Sequence, residues 1–280
     1  MKIGIVVEGG GMRGIYASGV IDALLENHIE ADGLIGVSAG ATHGCNYISK
    51  QKGRSIRYYS KYMNDPDFMS FKSLITTGDY VNEAFCYQKI PDQLDLFDYQ
   101  AFQASKTNFY VVATNVETGK AEYIKITSLP KQIDYIRASA SLPFFSKIVE
   151  IDGLKLLDGG VADSIPVEKM IEMGYDKIIV ILTRERGYVK KAEYNTLPNI
   201  IYHDYPDFYQ ALLNRHIIYN ATLDKIEELS IKKKIFVIQP SKKLNVPRLT
   251  DDFSLVKEAY LEGYQDMNEK MEKLKRYLEI

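Results

Sequence analysis

The sequence is short of several things, and each shortage closes off a class of protein. Two cysteines in 280 residues cannot build a disulfide framework, so a reducing, cytoplasmic setting is expected. Those two cysteines and four histidines form no cluster with metal-ligand spacing, so no metal and no other cofactor is expected. Charge of one sign is missing as well: the net value is −2, which leaves no footprint for nucleic acid as a partner. The longest stretch free of Asp, Glu, Lys and Arg runs from Gly33 to Ser49, and its four glycines, His43 and Asn46 exclude a membrane span. The N-terminal run MKIGIVV meets Glu8 and Gly9 too early for a signal peptide. Any membrane contact is therefore expected to be peripheral, and nothing in the composition speaks to oligomeric state.

What is present is a chain with 46% hydrophobic residues, enough to bury a sizeable core. Residues 2–7, 34–37, 109–114, 122–126, 155–157 and 177–182 read as short strands rich in Ile, Val and Leu. Between the first two, Ala17, Val20, Ile21, Leu24 and Leu25 recur at helical spacing, and a second helix is expected after residue 38. Pro166 suits the first turn of a further helix that Gly174 would end. Strands alternating with helices predict an α/β fold, a three-layer α/β/α sandwich with a largely parallel central sheet. Residues 1–184 are expected to form this domain, followed by a mostly helical region, 185–280, in which 234–239 can return to the sheet. The boundary is soft, because no linker marks it. Residues 58–102 hold eleven aromatics where uniform scattering would place about five. That segment reads either as a helical insert packed by its rings or as a cap over a substrate.

Three motifs can carry chemistry. Gly36-Val37-Ser38-Ala39-Gly40 is a G-x-S-x-G pattern between a strand and a helix, for which chance alone predicts about 0.07 occurrences in a chain of this composition. A serine on such a sharp turn exposes its hydroxyl at the sheet edge, close to the amides of the next helix. The plainer alternative is that Ser38 only caps that helix. Gly9-Gly10-Gly11-Met12-Arg13-Gly14 follows the first strand and can present a row of backbone N–H groups to an oxyanion. The same glycines fit a dinucleotide fingerprint, but the acid that reading needs, Asp32, precedes the second strand instead of ending it. Arg13 is either an anion contact or a solvated first-turn arginine. Asp158-Gly159-Gly160 ends a strand; with parallel strands, its carboxylate would share a sheet edge with Ser38, and otherwise it is a turn.

A serine nucleophile needs a base, and the histidines are poorly placed to provide one. His43 lies five residues past Ser38 on the same helix, about 140° around it. His28 ends the first helix, and His203 and His216 sit in no motif.

Taken together, the glycine loop, G-x-S-x-G and D-G-G, in that order, resemble the patatin-like phospholipase family. Residues 138–143 (ASASLP) before the third motif and 163–167 (DSIPV) after it strengthen the resemblance, which covers roughly residues 1–184. Ala113-Thr114-Asn115 with Thr118-Gly119 is also similar, although the family's usual acid is here Asn115. The Glu8–Gly14 stretch and Thr183-Arg184 are similar to a bacterial subfamily. The resemblance implies an acyl hydrolase with a Ser-Asp dyad and no metal. Ser38 would be the nucleophile and Asp158 its proton acceptor. Gly36 and Gly40 would shape the elbow. The oxyanion hole would come from Gly9, Gly10, Gly11 and Met12, with the last three supplying amides. The expected partner is a lipid or other ester substrate.

Three competing functions follow from the same residues. An acyltransferase or thioesterase would use the same dyad with a different acceptor or ester. A nucleotide-binding protein would use Gly9–Gly14, and a non-catalytic lipid-binding module would need neither dyad residue. Residues 231–248 carry six Lys or Arg and no acid, which reads as a solvated surface or as a patch for anionic lipid.

Overall fold

The computed structural model describes residues 1–193 and 200–280, so a short part of the C-terminal region expected to be helical, 194–199, lies outside the described residues. Eight strands form one mixed sheet: β1 (Ile3–Val7), β2 (Gly33–Val37), β3 (Asn108–Asn115), β4 (Ala121–Ile126), β5 (Val149–Ile151), β6 (Leu154–Asp158), β7 (Lys177–Ile181) and β8 (Ile235–Ile238). Five of them, in the order β3-β2-β1-β7-β8, are parallel, and β4 and β6 pair antiparallel to β3. The parallel strands are buried runs of Ile and Val, as strands covered on both faces must be.

Alternate residues of these strands face two separate apolar layers. Ile5, Val7, Leu34, Val111, Ile179 and Ile181 pack with α1 (Ile15–Glu26), α2 (Ala39–Ile48), α6 (Leu129–Ser139) and the last helix, α9 (Phe253–Leu278). Val6, Ile35, Val37, Val112, Ile178 and Val180 pack instead with α7 (Val167–Glu172) and α8 (Pro206–Ile231). The three-layer sandwich expected from the alternating pattern is what forms. Helix α9 crosses α1 at backbone contact: a Cβ on Gly19 would lie 2.1 Å from the Tyr260 carbonyl oxygen, and one on Gly263 the same distance from that of Tyr16. Residues 235–238 return to the sheet beside β7, so β8 and α9 share the sheet and core of the N-terminal part.

The aromatic-rich segment folds as three short helices, α3 (Arg54–Tyr62), α4 (Phe71–Thr77) and α5 (Tyr99–Ala104), with a π-helical stretch at Ala84–Leu94. Wide turns of that kind are rare and concentrate near functional sites.

One detail of register positions the site. Strand β3 has eight residues and overruns the five of β2, which pairs with residues 108–112. Strand β4 holds the opposite edge, and β6 takes the edge that β2 vacates, pairing Asp158 with Ala113, Leu157 with Thr114 and Leu156 with Asn115. The two strands lie in one row and run toward each other. Ser38 follows the end of one, and Asp158 ends the other. Parallel strands were the expected route to this meeting; β6 is antiparallel, and the overrun of β3 supplies the meeting instead.

Candidate active site

Ser38 sits between β2 and α2 with φ 55° and ψ −123°, a conformation that costs an L-residue on the order of 1–3 kcal/mol and persists only where its surroundings enforce it. The turn is that tight because its neighbours have no side chains. A Cβ on Gly36 would lie 2.6 Å from the carbonyl oxygen of Gly40, and one on Gly40 would lie 2.4 Å from that of Val7. The hydroxyl does not cap its helix; Oγ donates to Asp158 Oδ2 at 2.6 Å, and both residues are buried, 5% and 3% exposed. A hydroxyl so bonded can pass its proton to the carboxylate as it attacks an electrophile.

The carboxylate is held from several sides. Its Oδ1 accepts from the amide of Gly160 at 2.8 Å, its own amide donates to the Ser141 carbonyl, and its carbonyl accepts from Thr114 Oγ1. The amide of Ser38 donates to Ser139 Oγ at 2.9 Å. The ASASLP stretch therefore touches both members of the pair, a role that its sequence alone did not assign. A further clamp comes from α8, where Arg215 Nε donates to the carbonyl oxygen of Gly160.

The glycine loop lies against the elbow: a Cβ on Gly9 would stand 2.9 Å from that of Ser38. Thr183 Oγ1 donates to the Gly9 carbonyl, and Glu8 at the loop's entry is buried, accepting from the Thr183 amide and from the Tyr219 hydroxyl. Burial raises the Glu8 carboxyl above its usual range, and those two donors oppose the rise. Among the described residues, the amides of Gly10 and Gly11 donate to no protein acceptor. The amide of Met12 differs from expectation, because it donates to the carbonyl of Arg248 at 3.0 Å and so is already engaged. Asp32 stands at the opposite end of the sheet, bonded to the amide of Ile3 at the start of β1, which removes the acid that a dinucleotide site would need beside the loop.

Two cavities meet at this serine, sharing Gly11, Ser38 and Leu142 in their walls. The apolar one has about 1150 Å³ of empty space counting its open mouth, and its walls are mainly apolar and aromatic, among them Tyr58, Tyr59, Phe68, Tyr87 and Phe97. The aromatic segment is thus both a packed helical insert and the wall of a cavity. The polar one has about 740 Å³ on the same count, with Arg13 in its wall. Arg13 is partly buried and its Nε has no partner among the described residues, so it is not a freely solvated arginine.

The remaining candidates separate cleanly. His43 is buried, its Nδ1 bonded with Ser55 Oγ at 2.9 Å, and burial lowers it to about 4, which keeps it neutral. His28, His203 and His216 line neither cavity. Burial pushes the Cys45 thiol up to about 12, so it is a packed thiol and not a thiolate nucleophile. Asn115 closes the β3–β4 turn, accepting from the amide of Glu117 and donating to Glu122. No group of three or more His, Cys, Asp or Glu among the described residues is arranged to hold a metal ion. Nor is any described helix long and apolar enough to cross a membrane.

A family model described as patatin-like phospholipase matches residues 5–171, and a domain of unknown function matches residues 205–279. The uncharacterized protein YjjU of Escherichia coli is 28% identical over 285 residues, covering 91% of this chain and 74% of that protein. Lysophospholipase nte1 of Aspergillus niger is 27% identical over 302 residues, covering 98% of this chain, and that of Emericella nidulans is 31% identical over 188 residues, covering 64%. This chain spans only 18% and 12% of those two fungal proteins. A solved structure, VipD from Legionella pneumophila, is similar over 97% of this chain and 67% of its own, with TM-score 0.47 and 13% identity.

Proposed function

The chain belongs to the patatin-like phospholipase family, and from that premise we propose that it is a serine-dependent lipid acyl hydrolase in which Ser38 and Asp158 form the catalytic dyad. The observation that carries this reading is the 2.6 Å hydrogen bond from a strained serine to a buried carboxylate, at the junction of two cavities. Ser38 Oγ attacks the ester carbonyl carbon while its proton passes to Asp158 Oδ2. The amides of Gly10 and Gly11 receive the developing oxyanion. Collapse of the tetrahedral intermediate breaks the ester C–O bond, and the departing alcohol takes the proton back from Asp158. Water then attacks the acyl-Ser38 ester, losing its proton to Asp158, and the acid leaves as Ser38 regains a proton.

The apolar cavity is the natural seat of the acyl chain. Each methylene buried there contributes about 0.8 kcal/mol, close to fourfold in kcat/KM. Initial rates on p-nitrophenyl esters of increasing chain length should rise by about that factor per methylene while the chain stays inside the cavity. A flat series would remove the cavity from the reaction. Product analysis with an added alcohol separates hydrolysis from acyl transfer, with free acid as the expected main product.

No histidine takes part in these steps. Replacing His28, His203 or His216 singly, or His43 by the similarly shaped Gln, should leave turnover within about tenfold of wild type, against the 10²–10⁴ of a lost general base. Initial rates on each folded variant check this, and a larger loss in one of them would restore a triad.

A further inference from the structure

The polar cavity holds more positive charge than its own carboxylates neutralise. Five cations line it: Arg13, Arg184, Lys190, Arg215 and Arg248. Three carboxylates face them, and each is already engaged. Asp158 bonds Ser38 and Gly160, and Glu8 bonds Thr183 and Tyr219. Glu193 sits 2.6 Å from Lys190, 3.5 Å from Arg215 and 4.0 Å from Arg248. Arg13 and Arg184 have no ion pair among the described residues, and the Nε of Arg13 is buried without a partner. Arg184 is held in place by Tyr188, its guanidinium carbon 4.2 Å from the ring centroid. Burial, Arg184 and Arg248 pull Arg13 down to about 10 against the opposing attraction of Glu8 and Tyr188. Like charges gathered in a concave, partly buried site repel one another until an anion enters between them.

We propose that this cavity is an anion site for the alcohol half of the substrate, selecting acyl esters that carry a phosphate monoester over zwitterionic or neutral ones. The reading rests on Ser38 as the nucleophile, because Ser38 is where the acyl and anion cavities join. Arginine suits a phosphate through paired N–H donors. A choline-type ammonium would find no free carboxylate here, and the two aromatic rings of the wall, Tyr188 and Tyr219, already carry Arg184 and Lys190 against them. Four of the five cations lie beyond residue 171, where the family match ends, so the selection belongs to the C-terminal part of the chain.

The test uses the full-length Ser38→Ala protein, which binds without turnover. Calorimetric titration would compare short-chain lysophosphatidate, the lysophosphatidylcholine and monoacylglycerol of the same chain, and inorganic phosphate. Lysophosphatidate is expected to bind at least about tenfold tighter than either lipid lacking a phosphate monoester, and competitively with phosphate. In Ser38→Ala carrying Arg184→Gln or Arg248→Gln, each checked for folding by its melting temperature, that preference should fall to about threefold or less. Equal affinities across the three lipids, or a preference unmoved by both substitutions, would overturn the proposal. So would phosphate binding as tightly as lysophosphatidate without competing, which marks a site for a free anion. Failure of the catalytic reading shows elsewhere, as wild-type protein without esterase turnover.

Discussion

Asp158→Asn is expected to lower turnover by about 10²–10⁴-fold, the usual worth of general-base assistance, while the melting temperature stays near that of wild type. Asparagine keeps the oxygen that accepts from the Gly160 amide at 2.8 Å, and its size fits the end of β6. What it loses is the ability to take a proton from Ser38, 2.6 Å away. The neighbouring Gly159 should behave in the opposite way. A Cβ there would stand 2.1 Å from the carbonyl oxygen of Val112, so Gly159→Ala should lower the melting temperature as well as the rate. Initial rates paired with thermal unfolding of both variants separate chemistry from fold. A folded Asp158→Asn protein with near wild-type turnover would mean that another group takes the proton.

Substitution of Ser38 has the largest expected effect, a loss on the order of 10⁶ in kcat, as when other serine hydrolases lose their nucleophile. Stability should respond differently, because Ser38 holds a positive φ of 55° that favours glycine. Alanine keeps the strain, whereas glycine releases it at the expense of extra chain entropy. Ser38→Gly should therefore be the more stable of the two inactive variants by about 1 kcal/mol. Denaturant unfolding of both checks this, and an Ala variant as stable as the Gly one would show that the elbow is not strained.

Much of this architecture is legible in the chain because it rests on local chemistry. Runs rich in β-branched residues such as Lys177–Ile181 read as buried strands, and the apolar spacing through Ala17, Val20, Ile21 and Leu24 reads as a helix against the sheet. Ser38 stands out because G-x-S-x-G names the backbone geometry itself. The direction of β6 is not legible, because a run of only five residues says nothing of its partner's overrun. Nor is the engagement of Met12, whose amide meets a carbonyl 236 positions away in sequence.

The polar cavity escapes sequence reading for the same reason. Arg184, Lys190, Arg215 and Arg248 share no motif and come together only when β7, α8 and the segment after β8 converge. The basic run at residues 231–248 divides in the fold: its five lysines are exposed, while Arg248 turns in toward Ser38's cavity. Counting charge along the chain could not make that distinction. The aromatic segment gives its composition away but not its purpose, since rings that pack a helical insert and rings that line a cavity have the same spacing.

The proposed reaction requires that one hydroxyl, that of Ser38, becomes covalently acylated. The direct measurement is peptide mass spectrometry after reaction with a fluorophosphonate, which traps activated serines as stable esters. One adduct per chain is expected, on Ser38, blocked by prior incubation with a slowly turned-over ester and absent from Ser38→Ala. An adduct on any other residue, or an active protein that the probe does not modify, would contradict it.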